Sequence, residues 1–241
     1  MRIVAIIQAR MGSSRLPGKI LMPLAGRPVL RHVIERARMS GVFARVVVAT
    51  TDRSIDDEVA ALAEDWGALA VRGNEADVLS RFGLAAEASS ADVIMRITAD
   101  CPLIDPDVLA AMVSRFVTEQ PLDLMSNCIR RTFPRGLDAE LFTRAALDIM
   151  LRDASTQPQR EHVTPYLYAN PQLFRIVEFC NERNVSHVRL TLDTPEDFDL
   201  LDRVFASVPN PDDIRLRDIE RILDANPTWL TINAHIEQKK V

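Results

Sequence analysis

Residues Ile3–Lys19 read IVAIIQARMGSSRLPGK, and the stretch changes character halfway along. Ile3–Ile7 is an unbroken apolar run, mostly β-branched, which predicts a strand buried on both faces. From Gln8 the chain turns polar and small: Gln8, Ala9, Arg10, Met11, Gly12, Ser13, Ser14 and Arg15, then Pro17, Gly18 and Lys19. Small residues let backbone N–H groups approach phosphate oxygens, while Arg and Lys neutralise the charge those oxygens carry. Open α/β sheets bind ligands in loops at the carboxyl ends of their strands. The stretch therefore predicts a nucleotide triphosphate loop. It is not a Walker A loop, because five residues separate Gly12 from Gly18 and Ile20 stands where the magnesium-binding hydroxyl belongs. No GxGxxG occurs either, which removes the dinucleotide-binding signature.

Charge agrees with this reading. Through residue 50 the only acid is Glu35, set against nine arginines and lysines, in a chain whose net charge is −5. Local positive potential in an acidic protein suits an anionic small molecule and argues against nucleic acid as a partner. The chain has 241 residues, 47% of them hydrophobic, enough for one large α/β core or one domain with a small appendage. The expected division is a main domain over residues 1–208 and a helical tail over 209–241, packed on that domain or on a partner chain. Cys101, Cys128 and Cys180 are odd in number and widely spaced, so they make neither a disulfide framework nor a CxxC metal site. The N-terminal apolar run is too short for a signal-peptide core, and no stretch approaches a membrane span. A cytoplasmic protein with no membrane partner is expected.

Outward from the loop, Pro28 opens a predicted helix with Leu30, Val33, Ile34 and Ala37 inside and Arg31, His32, Glu35 and Arg36 in solvent. Arg45–Thr50 is a second buried strand. Ser54 is expected to cap a helix that buries Ile55, Val59, Leu62 and Trp66. A third strand over Ala68–Val71 and a third helix over Glu75–Ala88 follow. Asp92–Thr98 is a fourth strand, ending at Ala99-Asp100-Cys101-Pro102, with Asp105 and Pro106 opening the next helix. This alternation predicts a mainly parallel, doubly wound sheet with Asp100 on the same edge as the phosphate loop.

The second half is less regular. Strands over Asp123–Cys128 and Gly136–Phe142 flank a cationic turn containing Arg130, Arg131 and Arg135. Thr143 is placed to cap a short helix. The polar stretch Gln159–Tyr166 follows, then strands over Arg175–Phe179 and Val188–Leu192. Asp193 ends the last of these, and Thr194, Pro195 and Asp197 have the spacing of a capping box with proline in the first helical position. A final helix is expected over Arg215–Asp224.

Several motifs together resemble a known family. QARMGSSRLPGK is similar to the nucleotide loop of the cytidylyltransferases that activate 3-deoxy sugar acids, the acylneuraminate and CMP-3-deoxy-manno-octulosonate synthetases. RITADCPLIDP, GLDAELF, REHVTPYLY, RLTLDTPEDF and the tail NPTWLTINAHIEQK most resemble its spore-coat polysaccharide biosynthesis subgroup. The resemblance implies the glycosyltransferase A-type fold: a mixed, mostly parallel central sheet with helices on both faces, in a homodimer. It implies transfer of CMP from CTP to a sugar acid with release of pyrophosphate. Carried over by position, Arg10, Ser14, Arg15 and Lys19 hold the triphosphate, with Arg15, Lys19 and Asp100 as the catalytic set. Asp100 and Asp193 bind Mg²⁺. Ala9, Gly12, Ser13 and Thr98 complete the expected nucleotide contacts.

On their own, some of these residues allow two readings. Asp100 suits a metal ligand or a turn before Cys-Pro, and Asp193 suits a ligand or a helix cap. Glu161 and His162 suit sugar contacts, a base, or ordinary helix surface. Arg135 and its neighbours suit an acceptor carboxylate or a solvated turn. Cys101 has no neighbouring histidine, and nucleotidyl transfer needs no thiol. One position departs from the family: the octulosonate enzymes carry Gln two residues before the metal aspartate, where this chain has Thr98. Base selection is then expected from backbone near Ala5–Ala9. The rival readings are a glycosyltransferase of the same fold, which is disfavoured by Pro102 in the second position of an Asp-x-Asp motif, and a non-catalytic nucleotide-binding subunit.

Overall fold

The apolar run at the amino terminus becomes β1 (Ile3–Gln8), the strand flanked by neighbours that cover both of its edges in a seven-stranded sheet. The computed structural model describes residues 1–238. In chain order after β1 come a two-residue hairpin, β2 (Pro23–Leu24) and β3 (Arg27–Pro28), and then α1 (Val29–Met39). β4 (Arg45–Thr51), α2 (Asp57–Asp65), β5 (Leu69–Gly73), α3 (Val78–Ala88) and β6 (Val93–Thr98) alternate as predicted. α4 (Pro106–Thr118), β7 (Leu124–Ser126), β8 (Glu140–Thr143), α5 (Arg144–Asp153), α6 (Gln157–His162), α7 (Pro165–Ala169) and β9 (Ile176–Glu178) follow. α8 (Pro195–Ala206) and α9 (Leu216–Ala225) complete the set.

The sheet order is β5-β4-β1-β6-β8-β7-β9, and only β8 runs against the rest. Gln8 pairs with Thr98 and Arg96 with Glu140, so the ends of β1 and β6 and the start of β8 share one edge. Alternate residues of β1 serve opposite layers. Ile3, Ala5 and Ile7 pack with the apolar stripes of α1 and α4, while Val4 and Ile6 pack with α3, α5 and α7. A third cluster joins α8 and α9 to Leu24, Leu103 and Leu137 beyond the sheet's edge. Among the described residues no helix is long and apolar enough to cross a membrane.

Local signals explain the helix starts. Asp105 Oδ1 accepts the N–H groups of Asp107 and Val108 ahead of α4, and Thr143 Oγ1 accepts that of Ala146 in α5. Thr194 and Asp197 form the expected capping box at α8.

Several expectations are corrected. His32 and Arg36 are buried, not solvated, because α8 and α9 cover the outer face of α1. His32 Nε2–H donates to the Leu24 carbonyl at 2.7 Å, and burial pushes its pKa below the ordinary value. Arg36 donates to three backbone carbonyls, those of Ile104 (2.7 Å), Pro211 (3.4 Å) and Ile214 (2.6 Å), and burial lowers its pKa to about 10. Ser54 does not cap α2: a 3₁₀ turn over Ser54–Asp56 comes first and leaves Ile55 57% exposed. The hairpin at Leu24–Arg27 turns on Ala25 (φ 48°) and Gly26 (φ 78°), a short signal that the sequence reading passed over.

In the second half, Val188–Leu192 is not a strand. Its backbone pairs with loops, Leu190 N–H to the Arg135 carbonyl (2.7 Å) and Leu192 N–H to that of Asp100 (2.8 Å). The strands expected over 123–128 and 136–142 are shorter because buried Asn127 takes over the ladder with its side chain. Its Nδ2 donates to the Leu137 carbonyl (2.7 Å), and its Oδ1 accepts from Ala139 N–H (2.9 Å).

Arg36→Met keeps the bulk of the side chain and leaves three carbonyls without their donor. Loss of charge-assisted hydrogen bonds to buried acceptors predicts about 2–3 kcal/mol less stability in urea unfolding. A midpoint equal to the wild type's would show that water replaces the guanidinium freely.

Candidate active site

The loop after β1 is pinned from beneath. Buried Asp56 accepts the Met11 N–H at 2.7 Å and the Thr51 hydroxyl, which fixes the turn out of the strand. The Gly18 N–H closes the loop onto the Met11 carbonyl at 3.2 Å. Gly18 does so at φ 71°, a conformation costly for any residue with a Cβ. Lys19 then starts a single 3₁₀ turn, and its side chain runs back into the protein.

There the three regions meet. Lys19 Nζ donates to Asp100 Oδ2 at 2.7 Å and to Asp193 Oδ1 at 2.8 Å. Arg15 reaches Asp193 Oδ2 at 2.7 Å. Burial pulls the Lys19 pKa down, but the two carboxylates outweigh it and hold the ammonium above its ordinary range. Burial likewise pushes Asp100 up, and Lys19 overcomes it, so the carboxyl stays below its ordinary range. At neutral pH the lysine is therefore charged, and so is Asp100. Because 188–192 is not a strand, Asp193 is held by the capping box of α8 and by the loop that pairs with Asp100.

A cleft of about 980 Å³ opens over this centre. Ala9, Arg10, Gly12, Ser13, Ser14, Arg15 and Lys19 line one side of it, with Thr98, Asp100 and Asp193 at its base. Arg135, Glu161 and His162 line it as well, so every residue singled out for the site faces one space. Arg10 lies 3.9 Å from both Glu75 and Glu161, a loose pairing. Arg131 is committed to Asp138, whereas Arg135 has no ion-pair partner among the described residues. Arg130 turns away to Glu178 at 3.2 Å. Gly136 allows Arg135 its place, since a Cβ there would lie 2.5 Å from the Leu190 carbonyl carbon. Burial lowers the His162 pKa, which leaves a neutral imidazole at pH 7. His162 and Thr164 flank Val163, whose φ of 73° and ψ of −63° mark a strained three-residue turn closed by Thr164 N–H on the His162 carbonyl (2.9 Å). Burial drives the thiols of Cys101 and Cys128 well above their ordinary pKa, so neither supplies a thiolate.

The floor of the cleft was missed by the sequence reading. Arg96 pairs with Glu140, which is 2% exposed, and donates through Nε to Gln8 Oε1 at 3.1 Å. Tyr168 donates its hydroxyl to Glu140 and lies 2.9 Å from Ser126 Oγ. These residues form one polar row across β1, β6, β8 and β7, capped by α7. The signal was present: a lone arginine in DVIMRIT and a lone glutamate in AELF are opposite charges in strands that are otherwise apolar.

Among the described residues no group of three or more His, Cys, Asp or Glu side chains stands ready to hold a metal. Asp100 and Asp193 nevertheless fit a hard divalent cation that takes few carboxylates and completes its shell with phosphate oxygens and water. Asp100 gives Oδ2 to Lys19, while its Oδ1 accepts a weak bond from the Cys101 thiol at 3.6 Å.

A mostly parallel sheet with a cation-rich loop and two aspartates beside its carboxyl edge has the build of a nucleotidyltransferase. The sequence profile of the cytidylyltransferases matches residues 4–238, and the chain belongs to that family. It is 33% identical to the spore coat polysaccharide biosynthesis protein SpsF of Bacillus subtilis, over 95% of this chain and 97% of that one. It is 34% identical to the 3-deoxy-manno-octulosonate cytidylyltransferase of Syntrophobacter fumaroxidans, over 70% of this chain and 74% of that one. A solved cytidylyltransferase from Leptospira borgpetersenii superposes with a TM-score of 0.92, at 35% identity and with both chains fully covered.

Glu140→Ala strands a buried guanidinium and removes the acceptor of Tyr168. Breaking one side of a buried pair predicts a loss of about 3–5 kcal/mol in chemical unfolding, whereas Glu140→Ala with Arg96→Met recovers much of it. Equal stability of the single and double variants would show that the pair is not coupled.

Proposed function

We propose that this enzyme transfers CMP from CTP to an acidic sugar of the 3-deoxy, 2-keto class, with release of pyrophosphate, and that it requires Mg²⁺. One observation carries the reading: Lys19 bridges Asp100 and Asp193, while Arg15 holds Asp193 from the same loop. Cations that would receive a triphosphate and carboxylates that would receive a metal thus converge on one point. The names of the relatives support the same chemistry and a role in surface polysaccharide synthesis; a cytoplasmic homodimer is part of the proposal.

In this reading Arg10, Ser14, Arg15 and Lys19 hold the triphosphate, with Gly12 and Ser13 beside them in the loop. The nucleoside lies toward Ala9 and Thr98. Asp100 and Asp193 hold Mg²⁺, which when bound neutralises phosphate charge and orients the tail. A sugar hydroxyl attacks the α-phosphorus in line and loses its proton to solvent, while the bond from that phosphorus to the oxygen bridging the α- and β-phosphates breaks, leaving its charge on the departing pyrophosphate. Arg15 and Lys19 stand where that charge is met by fixed cations, the main requirement of such a transfer. Arg135, with its uncommitted guanidinium, receives the carboxylate of the acceptor. Glu161 and neutral His162 receive its hydroxyls. Residues 1–208 form the catalytic domain in this proposal and 209–241 its tail, of which 209–238 is described and Lys239, Lys240 and Val241 lie outside the described residues.

The test is pyrophosphate release from each of the four nucleoside triphosphates with a panel of sugar acids. Release with CTP and a 2-keto sugar acid, abolished by chelation and restored by Mg²⁺, is the expected result. Sugar transfer from a nucleotide sugar without pyrophosphate would overturn it. Asp100→Asn is expected to abolish turnover in a folded protein, and Lys19→Ala to weaken triphosphate use at least roughly tenfold, the worth of one charged contact. Near-normal turnover in either would count against these roles.

A further inference from the structure

Asp193 is held from a third direction that neither the loop nor the capping box accounts for. Arg189, buried at 7% exposure, donates through Nη2 to Asp193 Oδ2 at 2.8 Å. The same guanidinium grips Asp197 twice, from Nε at 2.8 Å and from Nη2 at 3.1 Å. Asp197 in turn accepts the N–H groups of Asp193 (2.9 Å) and Thr194 (3.1 Å) through Oδ2. Both the backbone and the side chain of Asp193 are thus fixed by one Arg–Asp pair.

That pair is itself completed by the end of the chain. Buried Asn233 donates to Asp197 Oδ1 at 2.8 Å and to the Arg189 carbonyl at 3.0 Å. Gln238, an exposed residue that faces the cleft, accepts from Arg189 Nη1 at 2.6 Å. A guanidinium has a rigid fork of five donors. With Nε and Nη2 committed to the carboxylates and Nη1 to Gln238, its plane has little freedom, and Asp193 inherits that restriction.

We propose that Arg189 is a positioning residue for the nucleotide site and that the C-terminal segment 233–238 belongs to that site through it. The inference rests on the reading that Asp193 serves the triphosphate and its metal ion. Gln238 does not touch the reacting atoms in this scheme. It holds Arg189, Arg189 holds Asp193, and the geometry offered to CTP depends on residues 233–238 being in place.

The experiment measures CTP binding to the full-length protein by calorimetry, with Mg²⁺ and again in chelator, alongside thermal unfolding. Gln238→Ala changes a surface residue and is expected to leave the melting temperature near that of the wild type. It should weaken CTP binding in Mg²⁺ roughly three- to tenfold, about the worth of one ordinary hydrogen bond, because the lost contact acts on the site only through Arg189. Arg189→Met should weaken it further, and Arg189→Lys should recover part of the loss. A purely structural Arg189 would lower the melting temperature without moving the affinity of the folded protein. If Arg189→Met does not fold, Gln238→Ala and Arg189→Lys carry the test. Asp193→Asn separates the two ideas. Weakened binding in Asp193→Asn with wild-type binding in Gln238→Ala and Arg189→Lys overturns the positioning role alone, and wild-type binding in Asp193→Asn overturns the site reading beneath it.

Discussion

One ammonium group organises this molecule. Lys19 lies between the carboxylates of Asp100 and Asp193, within 2.8 Å of each, and those three residues come from the first loop, the end of a central strand and the start of a late helix. Two carboxylates brought this close would repel, and one would protonate to relieve the strain. The lysine removes that penalty and keeps its own charge because it has two partners. The condition is geometric, since it holds only if the ends of β1 and β6 lie side by side and the segment before α8 is drawn in beside them. The parallel pairing of Gln8 with Thr98 meets the first part, and the Leu192 N–H on the Asp100 carbonyl meets the second.

The same economy appears in how the last helices are attached. Asp105 caps α4 with Oδ1 and accepts the Leu216 N–H at the start of α9 with Oδ2 at 2.5 Å. Arg36, from α1, gathers carbonyls from the segment after β6 and from the approach to α9. His32 packs against Phe205 of α8 with ring centroids 4.8 Å apart. Polar groups thus specify a join that the apolar cluster around Leu200, Leu201 and Ile219 cements. The join bears on the cleft because Asp193, one of its lining residues, stands just ahead of α8.

This explains which parts of the molecule were legible in the sequence. β1, β4, β6 and the helices between them show their period openly, because each packs against neighbours close in the chain. The loop's place at the cleft agrees with its residue types, and that of Asp100 with its position after a strand. His32 and Arg36 were misread because helical periodicity reports one buried face and cannot announce a second partner that arrives almost two hundred residues later. Arg96 and Glu140 escaped for the opposite reason. Each looks anomalous alone, and only the register of β6 with β8 turns two anomalies into one pair. Val188–Leu192 alternates like a strand, yet its hydrogen bonds go to loops, a distinction no local pattern carries.

Charge balance gives the site its remaining logic. Lys19, Arg15 and Arg189 face Asp100, Asp193 and Asp197, three positive groups against three negative ones in close contact. Such a centre is electrically complete before any substrate arrives, which is why charged groups can be buried there without loss of charge. A triphosphate brings several negative charges into this balanced setting. Of the loop's cations, Arg10 is the loosely committed one, at 3.9 Å from each of its acidic neighbours, and one guanidinium cannot offset a triphosphate. The deficit argues for a divalent cation entering with the nucleotide, matched to carboxylates that Lys19 has already gathered. In the function proposed above, Asp100 and Asp193 would hold that cation, and Lys19, which gathers the two carboxylates in the free protein, would then be open to phosphate oxygens.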